Sequence, residues 1–132
     1  SGLETMSRNL AAPVEFLGHV EAIEDVLKQS WVVVLTSRWE AVSFSVQEAM
    51  WVGRAVVASD LPGLRWLIGD AGYLIRSEEQ LLKAILALSR AGHARDMAHK
   101  AAVRIRELLS PEAPFPELER KLLEWARRGA AS

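Results

Sequence analysis

Apolar residues in this chain follow two patterns. Two uncharged runs, "WVVVLTS" (31–37) and "AVVAS" (55–59), are unbroken and rich in valine. Runs of that kind suit strands buried on both faces, as in a parallel sheet. Two shorter runs, "VEFL" from Val14 to Leu17 before Gly18 and "YLI" (73–75), read as further strands. Between them the apolar spacing changes to that of a helix. Val20, Ile23, Val26 and Leu27 share one helical face, and "SVQEAMWVG" reads as a helix with Gly53 just past its end. "DLPGLRWLIGDAG" reads as a turn-rich link with a short helix. Ser77 and Gln80 form a capping box that opens "LLKAILALSRAG", and Gly92 stops that helix. "HARDMAHKAAVRIRELLS" is a further helix, and after Pro111, Pro114 and Pro116 "PELERKLLEWARRG" is a last amphipathic one.

Strands alternating with helices predict a parallel α/β sheet with right-handed crossovers. Ligands of such sheets sit beyond the carboxyl ends of the strands. Glu40 follows "WVVVLTS" and so falls at that edge. Glu48 stands on the next helix, with seven residues between the two acids. The start of that helix, Ser43 to Val46, offers backbone N–H groups to an anion. The segment thus has the layout of a phosphate site flanked by carboxylates. From spacing alone the simpler reading is a loop acid and a solvated helix acid. A hydrolytic carboxylate pair is weaker, because no second acid-bearing strand end faces Glu40.

Composition narrows the classes. A chain of 132 residues, half hydrophobic and a quarter charged, suits one soluble globular domain. A net charge of -1 argues against a nucleic-acid partner. The mildly basic stretch from Arg90 onward reads as a solvated helix face. The absence of cysteine excludes disulfides and thiolate chemistry. No apolar run is long enough to span a bilayer, and "SGLETMSRNLAAP" lacks the apolar core of a signal peptide, so a cytoplasmic location is expected. No spacing suggests a metal site. His19, after Gly18 at a strand end, is placed to line the site, whereas His93 and His99 read as surface residues. The tryptophans Trp31, Trp39, Trp51, Trp66 and Trp125 read as core or interface anchors.

The order of residues is more specific than their spacing. "VEFLGHV", followed by "VVVLTSRWEAVSFSVQEAMWVGRAVVASDLPGLRWLIGDAGYLI", resembles the C-terminal half of family 4 glycosyltransferases with the GT-B fold. The resemblance covers about residues 14–91 and rests on the E-x7-E pair with "EAM", Gly53, "VVAS" and "PG" in register. It implies an α/β fold: a truncated Rossmann-like parallel sheet, with residues 1–91 as a partial donor-binding domain. Residues 92–132 would be C-terminal helices packed on the same domain. By resemblance Glu48 binds the ribose hydroxyls of a nucleotide-diphosphate sugar donor, a task suited to a carboxylate facing a diol. Glu40 matches the acid at the donor sugar or the reacting carbon. Ser43, Phe44 and Ser45 match the turn that receives the diphosphate, and Gly18 and His19 the stretch beside the nucleobase. The family is retaining and uses neither metal nor cofactor in this site. Its catalysis resembles charge stabilisation of a diphosphate leaving group.

The sequence departs from the family pattern at several points. Ala41 stands where glycine is usual, which would be costly if the backbone needed a positive φ there. Ser43 stands where glycine or proline is common, Ala55 where proline is, and Trp66 where a glutamate is. Two strands that open the family's domain, with a diphosphate-clamping arginine and lysine, are not matched. "SGLETM" resembles the start of the helix after them. The chain is therefore expected to be part of a longer enzyme, inactive without its N-terminal domain and first strands. A non-catalytic binding or interaction module that reuses the half-fold is the alternative. The base, the sugar and the acceptor stay open. Unmatched strand neighbours would leave apolar edges at Val14–Leu17 and Val32–Leu35. These would be closed by direct pairing into a four-stranded sheet or by a second copy of the chain, and association is the favoured expectation.

Overall fold

The computed structural model describes residues 1–110. Helices α1 (Gly2–Asn9) and α2 (Ile23–Gln29) precede β1 (Val32–Leu35). Then follow α3 (Phe44–Trp51), β2 (Ala55–Ser59), α4 (Pro62–Ile68), β3 (Tyr73–Ile75), α5 (Glu78–Leu88) and α6 (His93–Leu108). The sheet has the order β1-β2-β3, and both pairings are parallel. The α/β class and the alternation expected from the sequence are therefore present. The amphipathic segment "PELERKLLEWARRG" and Trp125 lie outside the described residues.

The central strand organises the core. Ala55, Val56, Val57 and Ala58 are each at most 1% exposed, as the uncharged run predicts. Because side chains alternate along a strand, Val56 and Ala58 face one layer and Ala55 and Val57 the other. The first layer holds Met50 from α3, Leu64 and Leu67 from α4 and Ala101 and Ile105 from α6. The second holds Ile75, Ala84 and Leu88 from β3 and α5, with Met97. Each large side chain buried here contributes roughly 1.5–3 kcal/mol.

Two strand expectations change. The run "VVVL" forms β1 but is only half covered, and Val34 is 41% exposed. The helix on the open face, α5, packs against β3 at the far side of the sheet. "VEFL" forms no strand: Val14 is 53%, Phe16 45% and Leu17 50% exposed. Four residues without a neighbouring strand have no ladder to take their backbone groups. The four-stranded sheet is accordingly not formed. Of the apolar face expected around α2, only Leu27 is buried, and Ile23 is 40% exposed.

Helix ends follow the local chemistry. Gly53 (φ 75°) closes α3 in a Schellman turn, with Gly53 N–H bonded to Met50 O and Arg54 N–H to Ala49 O. Ser77 caps α5 by accepting from Gln80 N–H at 3.2 Å. The return bond goes from Arg76 N–H, not Ser77 N–H, to Gln80 Oε1, so the expected capping box is displaced by one residue. At the end of α4, Arg104 Nη2 donates to Trp66 O at 2.7 Å and fastens α6 to that helix. His93, expected on the surface, is half-buried, with its Nε2 2.7 Å from Tyr73 Oη. Trp66 packs on the core, whereas Trp31, Trp39 and Trp51 are 48%, 72% and 52% exposed and are not core residues.

Candidate functional site

The loop that leaves β1 at its carboxyl end carries Glu40. Its side chain is tied back at once: Ser37 Oγ donates to Glu40 Oε1 at 3.0 Å. Glu40 is half-buried. Glycine has a specific role nearby, because a Cβ at Gly63 would collide with the Ala41 carbonyl oxygen. The start of α4 therefore holds the Glu40–Ala41 backbone by close approach. Among the described non-glycine residues the positive φ belongs to Ala11, so Ala41 adopts its conformation without the cost that the missing glycine suggested.

Ser43, 4% exposed, is the N-cap of α3, and its Oγ accepts from Val46 N–H at 3.3 Å. A serine in place of the usual glycine or proline thus gives this helix a side-chain cap. The cap takes Val46 N–H, not those of Phe44 and Ser45, which stand in the first turn with the Phe44 ring 79% exposed. Glu48, one turn on, is exposed and lines a cavity of about 640 Å³ between α3 and the start of α2. Phe44, Gln47 and Trp51 share its wall, and Glu21, Glu24 and Asp25 close the other side. Lys28 Nζ pairs with Glu24 at 2.7 Å, which raises the lysine's pKa. This cavity favours groups that donate hydrogen bonds, such as hydroxyls, over a phosphate.

The sequence-expected residues thus divide. Phe44 and Glu48 face one cavity, Ser43 supports that helix from beneath, and Ser45 is exposed in its first turn. Glu40 does not line that cavity. Gly18 (φ 63°) and His19 lie in exposed irregular chain just before Glu21, where the cavity wall begins, and not at a strand end.

Asp60 was not singled out by spacing. It follows β2, and its carboxylate is only 11% exposed. Arg65 Nε lies 2.7 Å from one oxygen and Arg76 Nε 2.6 Å from the other. These charge-assisted bonds hold the Asp60 carboxyl below the usual carboxylate range and raise Arg65. The network joins the loops after β2 and β3. It edges a second cavity, of about 550 Å³, with Thr36, Ser37, Arg38 and Ser59. The available signal is Asp60 itself, the first residue of the turn-rich link "DLPGLRWLIGDAG".

Comparison with known proteins gives the family of the chain. Residues 1–91 match the family described as glycosyl transferases group 1. A curated relative, trehalose synthase from Pyrococcus horikoshii, is 27% identical over 92 residues. That alignment takes in 67% of this chain and 22% of the relative, so the chain spans about a fifth of that protein's length. Among the described residues no helix is long and apolar enough to cross a membrane. With the paired acids around the β1–α3 turn, the parallel sheet and a family match over more than half its length, the chain belongs to the glycosyl transferases group 1 family.

Proposed function

We propose that this chain is the nucleotide-sugar-binding portion of a retaining glycosyltransferase. In this reading Glu48 accepts hydrogen bonds from the ribose diol, and Glu40 meets the donor sugar. The first turn of α3, at Ser43, Phe44 and Ser45, receives the diphosphate, with Gly18 and His19 beside the base. The observation that carries it is the placement of Glu48, exposed and unpaired among the described residues, on the wall of a cavity that Phe44 also lines. The neutral hydroxyls of a ribose or sugar suit that wall, and the phosphates belong nearer the α3 amides, away from Glu21, Glu24 and Asp25. Departure of the nucleoside diphosphate leaves charge on its oxygens, and preorganised amides lower the barrier by meeting it.

Calorimetry with UDP-, GDP- and ADP-sugars tests the reading. A response to one base, weakened by Glu48→Gln, supports it. No binding to any member of the panel, by chain whose fold is verified, removes it. The exposed rings of Trp39 and Phe44 favour a second reading, a non-catalytic interaction module. That reading expects no donor preference and loss of a protein partner on replacing those rings.

A further inference from the structure

The sheet has a second end, away from Glu40. There the residues that precede β1 and β2, Trp31 and Arg54, meet the α5–α6 connection across a cavity of about 560 Å³. Its wall carries three guanidinium groups, Arg54, Arg90 and Arg95, and no aspartate or glutamate. Among the described residues Arg90 and Arg95 make no ion pair. Arg54 Nη1 donates to Ser30 O at 3.3 Å, but its Nε is buried with no acceptor. That Nε is closed to solvent and does not open on the cavity, whereas Nη2 is not buried and makes no hydrogen bond among the described residues, so it is the Arg54 donor left for a ligand there.

Local structure puts these groups together for separate reasons. The Schellman turn at Gly53 sets the backbone of Arg54 at the amino end of β2. Helix α6 starts at Gly92 (φ 81°), which has no side chain to cap the first-turn N–H groups, and Gly92, Ala94 and Arg95 line the cavity. The contact between Tyr73 Oη and His93 Nε2 ties that first turn to β3. Asp96, the acid of the first turn, is exposed and off the cavity wall, so water screens its charge.

We propose that this cavity binds a phosphate-class oxyanion. A tetrahedral dianion would accept from Arg54 Nη2, from the forks of Arg90 and Arg95 and from the uncapped first turn of α6, with Trp31 covering one side. Arginine forks match phosphate geometry bidentately, and the helix start adds a favourable dipole. The site is separate from the donor site at the opposite strand ends and does not depend on it. Free phosphate, a small phosphorylated metabolite and a phospholipid headgroup share this chemistry.

The test titrates the full chain with sodium phosphate and with pyrophosphate at constant ionic strength. NMR follows the Nε–H groups of Arg90 and Arg95 and the amides of Ala94 and Arg95. Sedimentation with phosphatidylcholine vesicles, with and without phosphatidic acid, examines the lipid source. Saturable shifts at those groups are expected, with Arg90→Gln and Arg95→Gln each weakening affinity roughly tenfold or more. Arg76→Gln, at the other end of the sheet, should leave the affinity unchanged. Both arginines tested are exposed, so their replacement spares the core. Binding to phosphatidic-acid vesicles without a response to soluble phosphate assigns the headgroup as the source. No saturable response from any of the three, or equal affinity in the arginine variants, overturns the proposal. Donor-sugar titrations run in parallel separate this result from the fate of Glu48.

Discussion

Single residues carry the most direct consequences. Glu48 is exposed on α3, so Glu48→Gln should leave the thermal transition unchanged. It should weaken nucleotide binding by about 1.5–3 kcal/mol, the range for a hydrogen bond to a charged group. Calorimetry measures this, and equal affinity in both proteins would remove Glu48 from the site. Glu40 has a different expected signature. Glu40→Ala should spare the free nucleoside diphosphate and reduce the preference for the nucleotide sugar. Equal losses for both ligands would mean that Glu40 acts by holding the loop through Ser37. Asp60 supplies a pH dependence. Arg65 and Arg76 lower its folded-state pKa, so the unfolded chain binds the proton more readily. Its stabilisation is complete above the unfolded carboxyl value of about 3.9 and is lost as pH falls through the lower folded value. Acid unfolding followed by circular dichroism should shift to higher pH in Arg76→Gln and lose part of its steepness in Asp60→Asn. Unchanged acid titrations in both would show that the pair is too solvated to matter.

At the scale of elements, two positions govern the loop between β1 and α3. Ser43→Ala removes the cap of α3 and should cost about 1 kcal/mol. Gly63→Ala puts a methyl group against the Ala41 carbonyl, so either α4 or the Glu40 loop must move. Denaturant titration reads the first. The second should lower stability by more than the cap does and should also shift the Glu40 amide resonance. A Gly63→Ala protein with wild-type stability would show that the two segments are not held in contact. These elements also mark how far local sequence reading reaches. The Gly53 turn, the Ser77 cap and the buried run Ala55–Ser59 were all legible, because backbone geometry or a continuous apolar stretch specifies them. "VEFL" has the apolar run of a strand but forms none, since its strand propensity needs a partner that propensity cannot supply.

Across the whole molecule, the free edge of β1 is the feature with a measurable consequence. Its outer side pairs with no described strand, and Val34 is 41% exposed. An uncharged edge of this kind is a template for another strand. Light scattering coupled to size exclusion should show mass rising with concentration, and a lysine at position 34 should suppress the rise. A strict monomer at high concentration would show that this edge does not recruit a second copy.

The sequence by itself determined the α/β class, the central strand, the Gly53 stop, the Ser77 start and the placement of Glu40 and Glu48 around one turn. Each of these follows from period, capping chemistry or residue order within about twenty positions. The stop expected at Gly92 comes at Leu88, and Gly92 instead stands at the N-cap of α6. Tertiary structure decided what depends on distant neighbours. It brought Arg65 and Arg76, from separate segments, onto Asp60. It set Gly63 against the Ala41 carbonyl, and it kept Ala41 out of the positive-φ region, so the missing glycine carries no backbone cost there. It also gathered Arg54, Arg90 and Arg95 at the amino ends of the strands. No local pattern encodes such meetings, because they arise only when parallel strands return to the same edge and bring their flanking loops together.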